Sequence, residues 1–306
     1  MTQQTLKAPV TLHGVGLHSG NAVELRLCPA DENTGIIFIR TDLEGSKNLI
    51  PARWDHVIDT RLCTMIGNEH GATVGTIEHL MAALRGAGID NLRIELNGPE
   101  VPIMDGSSAL FMDAITQVGI EQQDAPRRYI KILSPITVRE GDKEVTLTPN
   151  SLSLFSGEID FAHPAIGNQS YETSLVNGNF AHFLADCRTF GFKKDVEMLR
   201  KNGLARGGSL DNAIVLGEDN VLNPEGLRHA DEFIRHKLLD AVGDLYLAEA
   251  PILGKYHGIK AGHDMNNKIL HALFAQPEAW TYVEMDAPSH ILVHNKASAH
   301  HSSSRA

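Results

Sequence analysis

Apolar and polar positions alternate at the start of the chain. Residues 10–13, 23–27 and 35–40 read as strands, with Gly14, Gly16 and Gly20 punctuating the turn between the first two. The stretch Gly-Val-Gly-Leu-His-Ser-Gly has neither the spacing nor the context of a dinucleotide fingerprint, so it reads as hairpin chemistry. The period then becomes helical. Ile77, Leu80, Met81 and Leu84 form one stripe, with Thr76 as a cap and Gly86 as a stop. A strand at 92–96 and a helix at 108–118 follow. Residues 121–128 are polar, contain Pro126 and have no apolar period, which predicts a linker. Beyond it, strands are expected at 129–133, 136–139, 145–148 and 152–159, a helix at 231–244, a strand at 252–259 and a helix at 266–274. Each half runs strands, helix, strand, helix, an order that suggests duplication. The division expected is 1–124 and 125–296, each an α+β domain, with a polar, disordered tail at 297–306.

The helix at 231–244 carries two patterns at once. Ile234, Leu238, Ala241, Val242 and Leu245 make an apolar stripe, while His236, Asp240 and Asp244 recur every fourth residue with Lys237 beside them. An imidazole and a carboxylate one turn apart can bind one metal ion from a single rigid element. The same spacing also suits an ordinary solvated ion pair.

Composition narrows the classes. Among 306 residues, 42% are hydrophobic and 21% charged, as expected of a soluble globular protein. A net charge of -11 argues against nucleic acid as a general partner, because phosphate binding needs a basic surface. Cys28, Cys63 and Cys187 are odd in number and widely spaced, which fits a reducing compartment and excludes a disulfide framework or thiolate zinc site. The N-terminus lacks the apolar run of a signal peptide, and no apolar stretch is long enough to span a bilayer. A soluble, cytoplasmic protein with no transmembrane segment is expected.

Three further clusters carry candidate chemistry. A hydrolytic zinc site needs three protein ligands and a base. Glu78 and His79 lie off their helix's apolar stripe and diverge by about 100°, so His79 can be the third ligand and Glu78 the base. In Lys260-Ala-Gly262-His263, a glycine precedes a histidine between a strand and a helix. There His263 can act as a general acid, with Asp244 orienting its ring. In Arg188-Thr189-Phe190-Gly-Phe192 a hydroxyl sits among aromatics and can support an oxyanion; a strand end with buried phenylalanines has the same pattern.

Together these clusters resemble the UDP-3-O-acyl-N-acetylglucosamine deacetylase family, the zinc amidases of lipid A biosynthesis in Gram-negative bacteria. The resemblance rests on Thr-Ile-Glu78-His79-Leu, Glu-Phe-Ile-Arg-His236-Lys237-Leu-Leu-Asp240-Ala-Val-Gly-Asp244-Leu and Lys260-Ala-Gly-His263-Asp-Met-Asn-Asn, and runs from about residue 5 to about residue 280. Cys187 and Ala261 depart from the residues usual at those positions. The resemblance implies two similar domains, each layering sheet on helices, with the active site between them. It implies zinc on His79, His236 and Asp240, although the same donors suit iron(II). It makes Glu78 the base, His263 the acid with Asp244 behind it, Thr189 an oxyanion donor and Lys237 a group that positions the anionic substrate. The diphosphate of a UDP-sugar lipid precursor would meet Lys143, Lys237 and Lys260, with Phe161 against the uracil and Phe190 and Phe192 nearby. An insert at 192–215, containing Val196, Met198, Leu199 and Leu204, would build the acyl-chain passage. A monomer is expected. A zinc hydrolase for another N-acyl sugar and a non-catalytic, metal-stabilised sugar-nucleotide binder are the competing classes.

Overall fold

The computed structural model describes residues 1–284, whose strands gather into two principal sheets. The first has the order Val10–Val15, Ala22–Pro29, Leu92–Leu96, Ile36–Arg40, Leu49–Pro51, and the expected hairpin is its edge, with Leu12 opposite Leu25. The second has seven strands. Its centre is Ile252–Ile259, flanked by Lys143–Thr148, Arg128–Ile132 and Ser153–Phe161. Among the described residues there are six α-helices: α1 (Glu78–Ala87), α2 (Ala109–Val118), α3 (Asn179–Phe183), α4 (Lys193–Lys201), α5 (Glu232–Leu245) and α6 (His263–Phe274). Helix α2 packs on the first sheet and on α1, while α5 and α6 lie on the second sheet. Helices α1 and α5 pack against each other, so sheet, helices and sheet follow in layers around one continuous apolar core.

The α1–α5 contact governs the centre of the molecule. A Cβ on Gly243 would lie 2.0 Å from the Glu78 carbonyl oxygen, so only glycine lets the two backbones approach this closely. Of the α5 residues, only Arg235 and Lys237 escape full burial. The face carrying His236, Asp240 and Asp244 is therefore buried against α1. It is no solvated salt-bridge face.

Several local expectations change. Thr76 does not cap α1. It is buried with φ at 55°, and its hydroxyl donates to Glu100 Oε1 at 3.2 Å. Helix α1 passes through Gly86, which the Phe180 ring covers, and ends at Gly88 in the left-handed region. The expected linker lies mostly in a strand, Ile120–Pro126, paired antiparallel with Thr2–Leu6. Apart from Leu6, opposite Ile120, the residues it pairs with are polar, and its own sequence shows no apolar period. Gln123 Oε1 accepts from Asn91 Nδ2 at 2.7 Å, and Asn91 Nδ2 also reaches Gln3 Oε1 at 2.8 Å. Helix α6 starts at His263, three residues earlier than expected. The 192–215 segment contains α4, between the parallel strands Phe190–Phe192 and Ile214–Leu216. The tail at 297–306 lies outside the described residues. Among the described residues no helix is long and apolar enough to cross a membrane.

Candidate metal centre and active site

Helix α1 delivers Glu78 and His79 in its first turn, helix α5 delivers His236, Asp240 and Asp244 down one face, and α6 opens on His263. Close packing of α1 on α5 brings the first two groups together. His79 Nε2 and His236 Nε2 lie 3.6 and 3.4 Å from the same atom, Asp240 Oδ1. The two imidazole rings stand edge to face at 79°, centroids 5.0 Å apart. All three residues are buried, and their donor atoms lie within 4.8 Å of one another, close enough to share one ion.

The surroundings prepare these donors for a cation. His236 Nδ1 lies 3.0 Å from the Cys187 carbonyl, so Nδ1 carries the proton and Nε2 keeps its lone pair. Burial lowers the His236 imidazole to about 3, which keeps it neutral as a ligand must be. Burial opposes ionisation of Asp240, but the positive charge of Lys237 beside it and of His263 nearby hold the carboxyl well below its usual range. Lys237 Nζ donates to Asp240 Oδ2 at 2.8 Å. Oδ1, by contrast, is buried without a hydrogen-bond partner. A buried carboxylate oxygen left unpaired costs several kcal/mol unless a cation meets it. The residues therefore fit a metal.

Asp186, Cys187 and His229 form the other grouping within metal reach among the described residues. Its donors are already engaged, however. His229 Nε2 pairs with Asp186 Oδ1 at 2.9 Å, and burial raises the Cys187 thiol, which points at the Phe183 carbonyl at 3.7 Å.

Around the first grouping lie two proton-handling groups. His263 Nδ1 meets Asp244 Oδ2 at 2.9 Å, and its Nε2 faces Glu78 Oε1 at 3.9 Å and Asp240 Oδ2 at 4.0 Å. Burial is the largest influence on His263 and opposes its charge, but Asp244, Glu78 and Asp240 together overcome it and raise the imidazole to about 9. Burial also raises the Glu78 carboxyl, against the pull of His263 and His79. A charged imidazolium and a carboxyl of raised proton affinity thus flank one small volume.

The other expected residues fall into two places. Phe190 bridges outward from His236, its ring 6.2 Å from the imidazole and 5.8 Å from Phe161, with Phe192 6.2 Å from Phe161. Thr189, half-buried beside them, lines with Phe190, Val196, Leu199 and Leu210 a largely apolar cavity of about 480 Å³. Leu204 borders a second cavity of about 650 Å³ that shares His18 and Leu62 with the first, whereas Met198 is 58% exposed. Lys143 and Lys260 are neighbours at one end of the second sheet, where Glu144 pairs with Ile259. Lys260 Nζ is held there by Asp142 at 3.0 Å and Asp160 at 3.4 Å.

Residues without a sequence signal complete the site. Thr64 donates through Oγ1 to Asp244 Oδ1 at 2.5 Å and through its backbone N–H to Glu78 Oε2 at 3.0 Å. Asn266 Nδ2 donates to Asp244 Oδ2 at 2.8 Å, and the Ser108 hydroxyl to the His79 carbonyl at 2.7 Å. Helical spacing from His263 points to Asn266 once the helix start is known; nothing around Thr64 marks it.

The family model described as UDP-3-O-acyl N-acetylglycosamine deacetylase matches residues 3–275. A UDP-3-O-acyl-N-acetylglucosamine deacetylase of Phenylobacterium zucineum is 50% identical over 280 residues, covering 92% of this chain and 96% of that protein. Proteins of the same name from Myxococcus xanthus and Pasteurella multocida are 49% and 46% identical, over 92% and 95% of this chain and 89% and 99% of their own lengths.

Proposed function

The chain belongs to the UDP-3-O-acyl-N-acetylglucosamine deacetylase family, and from that premise we propose that it hydrolyses the N-acetyl group of its UDP-sugar substrate at a zinc ion held by His79, His236 and Asp240. Products are acetate and the free 2-amine of the acylated glucosamine, the step that commits the sugar to lipid A. The observation that carries the reading is Asp240 Oδ1, buried, unpaired and within 3.6 Å of both imidazole Nε2 atoms. Two imidazoles and a carboxylate suit zinc and also accept iron(II).

Zinc supplies Lewis acidity when bound, making water acidic near neutral pH and drawing electron density from an amide carbonyl. Glu78 Oε1 takes the proton of the attacking water, a role favoured by the raised proton affinity that burial gives it. His263 Nε2–H protonates the acetamide nitrogen as the C–N bond breaks, since an amine leaves poorly as an anion. Asp244 holds Nδ1–H so that Nε2 faces the reacting atoms. Thr189 donates to the oxyanion, and Lys237 holds Asp240 and attracts the anionic substrate. The acyl chain takes the cavity lined by Val196 and Leu199. Phe161, Phe190 and Phe192 offer ring faces to the uridine side, and Lys143 and Lys260, standing together, serve the diphosphate.

Paired variants test this assignment. Glu78→Ala is expected to keep about one zinc per chain by metal analysis while turnover falls by roughly 10²–10⁴-fold, the range typical of general acid–base catalysis. His236→Ala is expected to lose metal and activity together. A Glu78→Ala protein as active as the parent would overturn the assignment of the base and leave a metal-stabilised binding protein.

A further inference from the structure

Building on the proposed deacetylase reaction, we propose that Thr64 is a positioning residue that sets the proton acceptor and the proton donor at once. Thr64 is 2% exposed and all three of its polar groups are engaged. Its carbonyl accepts from the Ile77 N–H at 3.4 Å, fixing it to the start of α1. Its own N–H donates to Glu78 Oε2 and its hydroxyl donates to Asp244 Oδ1, a residue 180 positions away on α5. It is therefore a direct bridge between the carboxylate assigned as base and the carboxylate that orients the acid.

What the bridge does follows from the geometry of carboxylates. A carboxylate turns about its Cβ–Cγ or Cγ–Cδ bond and so exchanges its oxygens unless both are claimed. On Glu78, the Thr64 N–H claims Oε2 and leaves Oε1, 3.9 Å from His263 Nε2, as the oxygen that faces the reacting volume. On Asp244, the Thr64 hydroxyl claims Oδ1 while Oδ2 receives both His263 Nδ1–H and Asn266 Nδ2–H. With both oxygens held, the plane of the carboxylate is fixed, and with it the ring plane of His263. Asn266 is itself fixed by Tyr256, whose hydroxyl donates to Asn266 Oδ1 at 2.6 Å. Thr64 is thus the support from the first half of the chain, and Asn266 the support from the second. The hydrogen bonds of Thr64 go to Glu78, Asp244 and Ile77 rather than to a metal donor, and it does not line the acyl cavity, so its loss should act on the chemical step and leave binding alone.

The test uses the zinc-loaded full chain. Thr64→Val keeps the shape and the backbone N–H and deletes only the hydroxyl. Its kcat is expected to fall roughly tenfold, as for loss of one hydrogen bond to a charged group, with KM and zinc content unchanged. Thr64→Ser should restore kcat to within about twofold. On an Asp244→Ala background, where the hydroxyl has nothing to hold, Thr64→Val should cost less than about twofold. A readout independent of turnover accompanies these. The downfield proton resonance of His263 Nδ1–H, sheltered by Asp244, should broaden in Thr64→Val and return in Thr64→Ser. Parent-like kcat in Thr64→Val, a full additive loss on the Asp244→Ala background, or an unaltered Nδ1–H resonance would each overturn the role. A parent that releases no acetate while the resonance behaves as described would sink the deacetylase reading and leave the positioning by Thr64 standing.

Discussion

Asp240 shows how a buried acid is made ready to be a ligand. One oxygen is satisfied by Lys237 and the other is left facing the Nε2 atoms of two imidazoles. The same division of labour governs the proton-transfer pair, and pH exposes it. Below the raised pKa of Glu78 the base is protonated and cannot accept, so kcat/KM falls. Above about 9, His263 loses the proton the amine needs, so kcat/KM falls again. A bell results, its acidic limb above the ordinary carboxylate range. In Asp244→Asn the basic limb should move to lower pH, because Asp244 is the foremost of the charges that raise His263. A pH profile of kcat/KM checks this, and an unmoved basic limb would show that His263 is not the acid. Most of this site was legible in sequence. The four-residue step of His236, Asp240 and Asp244 and the place of Glu78 and His79 off a helical stripe offered the grouping, and the family resemblance favoured it over a solvated ion pair. Thr64 and the Cys187 carbonyl were not legible, because a lone hydroxyl or a backbone oxygen carries no periodic signature and acts only where tertiary packing puts it.

Elements were read best where one face is apolar. The hairpin and the helical stripe at 77–84 came through because alternation or a 3.6-residue period marks them. Ile120–Pro126 did not, since its residues are mostly polar and Gln123 is satisfied by hydrogen bonds rather than by apolar packing. Helix α5 was placed within a residue at each end, but its periodicity alone left its polar face open between a metal site and a solvated ion pair, because sequence shows periodicity and not what covers it. Gly243 is the residue that makes the covering possible. Gly243→Ala must push its methyl into the Glu78 carbonyl, and a loss of about 1–3 kcal/mol is expected from overpacking, read as a lower urea midpoint with unchanged slope. Because Glu78 and His79 start α1, the same variant should bind zinc more weakly. Helix α4 has no buried residue, and Val196 and Leu199 line a cavity. Leu199→Trp should fill that cavity and raise KM for a long-chain substrate severalfold while leaving zinc content and thermal stability near parent values. Equal KM for the variant and parent would remove the acyl chain from this cavity.

On the scale of the molecule, the proposed active site is a seam. Thr64, Glu78 and His79 come from the first half of the chain, and His236, Asp240, Asp244, His263 and Asn266 from the second, meeting where α1 packs on α5. A metal spanning that seam stabilises the folded state by its binding free energy, so chelation should lower the melting temperature and zinc should restore it. His236→Ala should show no such response in a thermal scan. An acidic chain with a net charge of -11 would need local cations for a diphosphate, so turnover of the nucleotide substrate should fall as salt is raised. The measurement that bears most directly on the whole is acetate release by the zinc-loaded protein from UDP-3-O-acyl-N-acetylglucosamine, set against the same sugar nucleotide without its acyl chain. One acetate per acylated substrate, with kcat/KM for the unacylated sugar lower by orders of magnitude, is the expected result. Equal rates on the two, or no acetate from either, would contradict it.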